Sequence, residues 1–116
     1  MITNFRVGID IIELSRFKKK PYLENKNFYE KIFHPSEIQY CLNQKNSSQS
    51  FATKFAIKES VIKCLDKKID FLDIMTDHEN KKPTVKLINN SSYYFLVSVS
   101  HEKFLAIAIV ISQEIN

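Results

Sequence analysis

The chain has 116 residues, of which 44% are hydrophobic and 26% are charged, and its formal net charge is +4. This length and composition predict a single soluble domain over residues 1–116, while apolar runs far shorter than the roughly 18 residues of a membrane span exclude a transmembrane helix. No secretory signal is visible at the N-terminus and the two cysteines follow no pattern, so we expect a cytoplasmic protein with reduced thiols.

The first predicted element is a strand over residues 5–12, in which side chains alternate between two faces. One face is apolar and consists of Val7, Ile9 and Ile11. The other includes Gly8, the single glycine of the chain, and a glycine inside a strand often marks the close approach of a ligand or of another backbone segment. Asp10 lies on the same side as Gly8 and has two interpretations: it caps the following helix, or it holds a cation.

Three short helical segments are predicted next, over residues 13–20, 27–33 and 34–42. The first segment carries the densest positive patch of the chain, formed by Arg16, Lys18, Lys19 and Lys20. Such a patch is either a solvated helix face or a docking surface for an acidic partner. A polar loop over residues 43–49 is expected to lead into the main helix.

The main helix is predicted over residues 50–65, a stretch without Gly or Pro. Ser50 is the expected N-cap, with Ser47 and Ser48 as alternatives one turn earlier. Apolar residues recur at the spacing of one helical face, at Phe51, Phe55, Ile62 and Leu65. This pattern predicts that the helix forms the centre of the core.

Charged residues also lie on this helix. Lys58 falls inside the apolar stripe, which is costly unless its ammonium reaches water or meets a partner. The simplest interpretation is a lysine whose head snorkels to solvent beside a surface pair of Glu59 and Lys63, which are four residues apart. The alternative is that the helix carries its charges toward a specific ligand.

After residue 66 the pattern changes to the period of a β-strand. The predicted strands cover residues 73–76, 84–88, 94–100 and 104–112. The predicted connections include a polar hairpin turn at 77–82 and a tight turn at 101–103. One strand, a helical block and then a run of strands predict an α+β fold, with one long core helix plus short helices packed on a largely antiparallel sheet.

Several classes of site are excluded by the residues themselves. A single glycine cannot build a Gly-rich phosphate loop, and no Cys/His spacing suits zinc. What remains is two carboxylates in semi-apolar settings, Asp10 and Glu59, with basic side chains as possible partners, namely Lys54, Lys58, Lys63 and His101. Two carboxylates, several waters and a phosphate oxygen are a usual way to hold Mg²⁺, so this set predicts a Mg²⁺-dependent phosphate-ester site.

Three segments together carry a resemblance to a known family. Residues 8–13 read GIDIIE and are followed by Arg16, residues 55–63 read FAIKESVIK, and residues 97–102 read VSVSHE. They resemble the three motifs of the holo-[acyl-carrier-protein] synthases, which are small AcpS-type 4′-phosphopantetheinyl transferases. The segments have the family's order and separations in a chain of the family's length, so the resemblance covers the whole sequence.

The resemblance implies the 4′-phosphopantetheinyl transferase fold and a reaction. The 4′-phosphopantetheine group would move from coenzyme A to a serine of acyl carrier protein, releasing adenosine 3′,5′-bisphosphate and activating the carrier for fatty acid biosynthesis. Asp10 and Glu59 would bind Mg²⁺, which bridges to the pyrophosphate of coenzyme A. Lys63 would stabilise charge on the leaving phosphate, and Glu59 would accept the serine proton directly or through a water.

The resemblance also implies which residues contact coenzyme A, namely Lys54, Lys58, Lys63, Lys82, Pro83 and His101. Lys54 stands where the family commonly has an arginine, a change that weakens bidentate phosphate contact but keeps the charge. Lys81 stands where the family usually has a glycine before the Lys-Pro pair. This departure leaves the turn geometry, and with it the adenine contacts, open.

Partners follow from the same resemblance. Arg16, Lys19 and Lys20 match the helix that faces the acidic recognition helix of the carrier protein, and the family implies a homotrimer with active sites between subunits. Two alternatives remain: a small basic module that binds RNA or an acidic protein without catalysis, and a catalytically silent subunit. Aromatic residues on predicted core faces disfavour nucleic acid as a partner, and the presence of every matched ionisable residue disfavours a silent subunit.

Overall fold

A helix of 18 residues packs across a three-stranded sheet in the computed structural model. The structure describes residues 4–115, so residues 1–3 and 116 of the predicted domain lie outside the described part. The strands are β1 (Phe5–Glu13), β2 (Ile74–Glu79), β3 (Lys82–Leu87), β4 (Tyr93–His101) and β5 (Leu105–Glu114). The α-helices are α1 (Ser15–Lys18), α2 (Lys26–Glu30), α3 (Pro35–Leu42) and α4 (Ser47–Cys64), with short 3-10 helices at Tyr22–Glu24 and Phe71–Asp73.

The sheet beneath α4 has the strand order β1-β5-β4, and β2 and β3 form a separate hairpin. All pairings between these strands are antiparallel. The register places Asp10 of β1 opposite Ala108 of β5, and Ala108 opposite Val99 of β4. The predicted α+β architecture is confirmed, but the strands form two sheets instead of one.

Gly8 marks the closest approach of α4 to the sheet. A Cβ atom at this position would overlap the carbonyl oxygen of Ser60 and lie 3.1 Å from the backbone nitrogen of Cys64. The hydroxyl of Ser60 donates a hydrogen bond of 3.1 Å to the carbonyl of Ala108 on the neighbouring strand. Of the two interpretations of this glycine, the close approach of another backbone segment is therefore the one that the fold uses.

Helix α4 is buried on most of its circumference, with Phe51, Phe55, Ala56 and Val61 in the core. It begins earlier than predicted because Asn46 is its N-cap, whose Oδ1 accepts a hydrogen bond of 3.1 Å from the backbone N–H of Gln49. The predicted N-cap at Ser50 and the alternatives at Ser47 and Ser48 are wrong, since all three residues lie inside the helix.

The β2–β3 hairpin is tighter than predicted. Strand β2 continues to Glu79, so the turn consists of Asn80 and Lys81 alone. Their φ angles are 51° and 68°. Two successive positive φ values are typical of the type I′ turn, whose twist matches that of antiparallel strands. Lys81 thus adopts a backbone conformation that favours glycine.

Other boundaries differ by a few residues. The predicted basic helix over 13–20 is shorter, since β1 continues through Glu13 and α1 covers only Ser15–Lys18. His101, predicted in a turn, ends β4, and β5 runs from Leu105 to Glu114. None of the helices within residues 4–115 is long and apolar enough to span a bilayer.

The face of the three-stranded sheet opposite α4 is apolar and uncovered. On β1 the predicted apolar face is this outer face, and its side chains are each more than half exposed: Val7, Ile9 and Ile11. Tyr94 and Leu96 of β4 are exposed to a similar degree. Strand β1 therefore directs Gly8, Asp10 and Ile12 toward the helix, and Val7, Ile9 and Ile11 toward solvent.

Candidate active site

Asp10 and Lys63 form an ion pair where β1 runs beside the last turn of α4. The Nζ atom of Lys63 lies 2.9 Å from Oδ1 of Asp10 and donates a second hydrogen bond, 3.0 Å long, to the carbonyl of Ile9. Asp10 lies inside β1, and the N-cap of α1 is Leu14. The capping interpretation of Asp10 is therefore wrong, and so is the predicted Glu59–Lys63 pair, because Lys63 pairs with Asp10.

Glu59 lies one helical turn before Lys63 and is partly buried. Burial and, to a smaller extent, the neighbouring Asp10 carboxylate raise the pKa of Glu59 above its ordinary value. The positive charges of Lys63 and Arg16 act in the opposite direction without cancelling that rise. Two carboxylates that lie near each other repel, and a cation bound between them relieves that repulsion.

The oxygen atoms of Asp10 indicate whether a metal ion would fit beside Asp10 and Glu59. Its Oδ2 atom is buried and has no hydrogen-bond partner among the described residues, an arrangement that is costly unless a ligand compensates it. No cluster of three or more His, Cys, Asp or Glu side chains suited to a metal occurs within residues 4–115. A pair of carboxylates nevertheless suits Mg²⁺, which usually takes one or two carboxylates and completes its shell with waters and substrate phosphates.

A second group of site residues lines a pocket of about 270 Å³ beside β4. Of the predicted residues it contains Lys54, Pro83 and His101. It is also lined by residues that the sequence analysis did not select, among them Tyr40, His78 and Lys81. Lys82 is not among the lining residues, because neighbours on a strand point to opposite faces. A larger cleft of about 530 Å³ beside α3 contains none of the predicted site residues.

Lys54 brings a buried positive charge to this pocket. Its Nζ atom donates a hydrogen bond of 3.0 Å to Oγ1 of Thr76 and lies 4.7 Å from the centroid of the Tyr40 ring. Burial lowers the pKa of Lys54, and the negative charges of Glu37 and Asp77 oppose that change. A buried ammonium at the wall of an open pocket is suited to an anionic ligand.

Tyr40 and His78 form an aromatic wall of the pocket. Their ring centroids are 4.6 Å apart at an interplanar angle of 24°, and the Tyr40 hydroxyl lies 3.3 Å from Nε2 of His78. The two residues are 38 positions apart in the sequence and come from α3 and β2. No local pattern marks either residue, so neither could be predicted as a site residue from the sequence.

Lys58 lies in the core and not in the pocket. Its ammonium donates hydrogen bonds to Oε1 of Glu37 at 2.8 Å and to the carbonyls of Ile32 at 2.7 Å and Phe71 at 3.1 Å. Both members of the Lys58–Glu37 ion pair are fully buried. The snorkelling interpretation is therefore wrong. The geometry also contradicts the predicted coenzyme A contact, since three protein acceptors use all three ammonium donors.

The carboxylates and the pocket lie at opposite edges of the three-stranded sheet. Asp10 belongs to edge strand β1, whereas Val99, a lining residue of the pocket, belongs to edge strand β4. Since adjacent strands are about 4.8 Å apart, one intervening strand separates the two groups by roughly 10 Å. The structure thus assembles Asp10, Glu59 and Lys63 in one place and Lys54, Pro83 and His101 in another.

The basic patch begins in α1 with Arg16 and continues past the end of the helix to Lys19 and Lys20. Arg16, Lys19 and Lys20 are all exposed. The guanidinium carbon of Arg16 lies 4.9 Å from the centroid of the Phe55 ring, and Nζ of Lys20 lies 4.4 Å from that of Phe28. The positive charge of Arg16 also acts to lower the pKa of Glu59, so this member of the patch lies near the carboxylates.

Sequence comparisons match this chain over nearly its full length. The family model described as the 4′-phosphopantetheinyl transferase superfamily matches residues 6–110. A holo-[acyl-carrier-protein] synthase of Mycoplasma mycoides subsp. mycoides is 39% identical, with 100% of this chain and 99% of the relative covered. The enzyme of the same name from Geobacter sp. (strain M21) is 33% identical, with 92% of this chain and 96% of the relative covered.

Solved structures give the same result. The holo-[acyl-carrier-protein] synthase of Helicobacter pylori, crystallised in complex with coenzyme A, is 31% identical with a TM-score of 0.79 and covers 92% of this chain and 99% of its own. That of Bacillus anthracis, in complex with CoA (3′,5′-ADP), is 30% identical with a TM-score of 0.79 and covers 94% of this chain and 96% of its own. Sequence and fold therefore match the same group of proteins.

Proposed function

We propose that this chain, which belongs to the holo-[acyl-carrier-protein] synthases of the 4′-phosphopantetheinyl transferase superfamily, transfers the 4′-phosphopantetheine group of coenzyme A to a serine of an acyl carrier protein. The second product is adenosine 3′,5′-bisphosphate, and the activated carrier serves fatty acid biosynthesis. The observation that carries the proposal is the ion pair of Lys63 with Asp10, one helical turn after Glu59, which places an ammonium near two carboxylates. Such a group suits a pyrophosphate held through a divalent cation.

Asp10 and Glu59 are the proposed ligands of Mg²⁺. When bound, this ion would neutralise charge on the pyrophosphate and on the leaving phosphate. Lys63 holds Oδ1 of Asp10 in a fixed position, and Oδ2 is the proposed metal-binding oxygen. The buried and unpaired state of Oδ2 supports this assignment.

Glu59 and Lys63 are the proposed catalytic groups of the transfer. The serine oxygen forms a bond to the β-phosphorus of coenzyme A, and the bond from that phosphorus to the leaving nucleotide breaks. Glu59 accepts the serine proton, directly or through a water, and its raised pKa makes it a stronger base than an ordinary carboxylate. Lys63 is about half exposed and offers its positive charge to the leaving phosphate.

The pocket beside β4 is the proposed site for the nucleotide of coenzyme A. Lys54 and His101 would contact its phosphates, as the family resemblance implies. Pro83 and the stacked Tyr40 and His78 rings present flat, largely apolar surfaces to a base. Lys82 does not line the pocket, so we propose no contact for it.

The exposed patch of Arg16, Lys19 and Lys20 is the proposed docking surface for the carrier protein. Opposite charges on two partners mainly accelerate their encounter and fix their orientation. Because Arg16 of this patch lies near Glu59, a carrier docked there would present its serine next to Glu59.

We further propose that the active form is a homotrimer in which the pocket of one subunit faces the carboxylates of another. In this arrangement one coenzyme A contacts the pocket of one subunit and the carboxylates of its neighbour, two groups that β5 separates within a subunit. The uncovered apolar face formed by Val7, Ile9, Ile11, Tyr94 and Leu96 supports it. Exposed apolar residues that adjoin one another often mark a subunit interface, and further copies of the chain would bury this face.

Intact mass spectrometry tests the proposal directly. An apo acyl carrier protein is incubated with this protein and coenzyme A, either with Mg²⁺ or with EDTA. We expect the carrier to gain the mass of one phosphopantetheine group only when Mg²⁺ is present. If several carrier proteins show no gain in mass with a folded sample, a binding module without catalytic activity becomes the better explanation.

A further inference from the structure

We propose that Thr76 and Glu37 are positioning residues for coenzyme A, because they fix the ammonium of Lys54 at the wall of the pocket beside β4. The inference rests on the proposed function and assigns a role to two residues outside the three sequence motifs. Neither side chain lines the pocket itself. Both are buried in the adjoining core.

The contacts of Glu37 show how its carboxylate is held. One oxygen, Oε2, accepts hydrogen bonds from the backbone N–H of Thr76 at 2.9 Å and from the Thr76 hydroxyl. The other oxygen, Oε1, accepts from Nζ of Lys58 at 2.8 Å and from the backbone N–H of His34 at 2.8 Å. Four donors therefore fix the carboxylate, and these hydrogen bonds lower the pKa of Glu37 although burial acts in the opposite direction.

Thr76 is a directional link between Glu37 and Lys54. An ionised carboxylate can only accept, so the single hydroxyl hydrogen of Thr76 is committed to Glu37. An ammonium can only donate, so Lys54 must use a lone pair of the same hydroxyl, 3.0 Å away. The chain of hydrogen bonds from Lys54 through Thr76 to Glu37 consequently has one possible polarity. The Lys54 ammonium is held in one place by this bond and by the face of the Tyr40 ring.

Among Glu37, Lys54 and Lys58, the charge of Lys54 is the one without a directly paired opposite charge. Lys58 and Glu37 neutralise each other in a direct ion pair. Lys54 has a neutral hydroxyl and an aromatic face as its close partners, and neither of the two ion pairs found within residues 4–115 includes it. Asp77 is near enough to oppose the fall in the pKa of Lys54 without pairing with it. A fixed and incompletely compensated cation is preorganised for a phosphate, whereas a free lysine would lose side-chain entropy on binding.

Three variants test the role of Thr76 in the full-length protein. Thr76→Val removes the hydroxyl and keeps the shape, Thr76→Ser restores the hydroxyl, and Thr84→Val on β3 is the matched control outside the pocket. We expect Thr76→Val to raise KM for coenzyme A about tenfold with kcat within about twofold, since the loss of a hydrogen bond to a charged group has effects of this order. Thr76→Ser should recover most of the affinity, and Thr84→Val should match the wild type.

A double-mutant cycle separates positioning from a general structural effect. In a Lys54→Gln background, Thr76→Val should raise KM for coenzyme A no further, because the ammonium that it positions is gone. An additional loss in that background would overturn the inference, as would an unchanged KM in Thr76→Val alone or a loss confined to kcat. If Thr76→Val does not fold, Thr76→Ala takes its place in the cycle.

Calorimetric titration of coenzyme A without carrier protein gives a readout that does not depend on turnover. Weaker binding by Thr76→Val, restored in Thr76→Ser, supports the inference. Equal binding by the wild type and Thr76→Val contradicts it and leaves the proposed function intact. A wild type that neither binds coenzyme A nor modifies a carrier contradicts the proposed function itself.

Discussion

The Nζ atom of Lys63 lies 2.9 Å from Oδ1 of Asp10, and this ion pair ties the last turn of α4 to the middle of β1. The side chain of Lys63 is 52% exposed, whereas that of Asp10 is 12% exposed, so the pair lies at the border between core and solvent. The second Asp10 oxygen has no partner in the described part of the chain. The carboxylate is therefore oriented through one oxygen, and the other oxygen is buried without a hydrogen bond.

Asp10→Asn is expected to lower the pKa of Glu59. The substitution removes a negative charge that raises this pKa, and it frees Lys63, whose positive charge lowers it. Carboxyl-detected NMR titration without metal measures the change, and Asp66→Asn on the surface is the control. The Mg²⁺ affinity of Asp10→Asn should fall in the same sample. An unchanged titration of Glu59 would show that the two carboxylates do not interact.

Glu59→Gln is expected to reduce kcat by at least about 100-fold, the usual contribution of a general base. The side chain keeps its size and loses its charge, so thermal unfolding should change little. Steady-state assays with apo carrier protein measure the effect, and Glu24→Gln in an exposed 3-10 helix is the control. Turnover close to that of the wild type would remove Glu59 from both the metal and the base roles.

Lys19→Glu is expected to raise KM for the carrier protein severalfold while KM for coenzyme A stays constant. Lys19 is exposed on the basic patch, and reversal of its charge weakens attraction to an acidic partner. The effect should shrink at high ionic strength because salt screens exposed charges. Lys68→Glu, an exposed lysine elsewhere, is the control. Equal losses on both substrates would contradict the docking role.

Leu96→Lys is expected to dissociate the proposed trimer and to abolish turnover. Leu96 is 71% exposed on the outer face of the sheet, so a lysine there costs a monomer little but places a charge in a subunit interface. Light scattering coupled to size-exclusion chromatography measures the molar mass. Leu23→Lys is the matched control, since Leu23 is 79% exposed away from the sheet. An unchanged mass for Leu96→Lys would argue against this interface.

The stability of the protein is expected to depend on the ionisation of Glu37. Hydrogen bonds from Lys58, Thr76 and His34 outweigh burial and lower the pKa of Glu37 below its ordinary value. The stabilisation is complete above the unfolded-state pKa of about 4.3 and is lost as the pH falls through the folded-state value, since the unfolded chain then binds more protons.

Urea unfolding between pH 7 and pH 3 measures this dependence. The free energy of unfolding of the wild type should fall below about pH 5. At pH 7 the free energy of unfolding of Glu37→Gln should be lower than that of the wild type by about 3 kcal/mol, because Lys58 loses its buried partner. It should also change less with pH. If the free energy of unfolding changes equally with pH in the two proteins, Glu37 has the same pKa in the folded and unfolded states.

Much of the fold was predictable because hydrophobic periodicity depends on near neighbours along the chain. The long core helix and the antiparallel strands follow from such local patterns, whereas the reason for glycine at position 8, the close approach of α4, appears only in the folded chain. Boundaries were less predictable, since the N-cap at Asn46 competes with three nearby serines of similar capping ability.

The site was predictable in part. The motifs selected Asp10, Glu59 and Lys63, which the structure brings together, although it pairs Lys63 with a residue 53 positions away and not with Glu59. Lys58 was misread because its partner, Glu37, comes from another helix. The burial of the Lys58 ammonium depends on the Glu37 carboxylate. The periodicity of one helix shows which face a lysine occupies, but not which side chains of other elements pack against that face.

The sequence by itself determined which candidate groups this protein has, since two carboxylates, a set of basic residues and one glycine occur in motifs that can be read along the chain. Only the tertiary structure decided which of these groups meet. In the folded chain the carboxylates are separate from the Lys54 pocket, and Lys58 lies in the core. Thr76 and Glu37 lie beside Lys54 and are linked to it by hydrogen bonds. The physical reason is that the two atoms of a hydrogen bond or a direct ion pair must lie about 3 Å apart. Atoms of remote segments reach such distances only after the chain has folded.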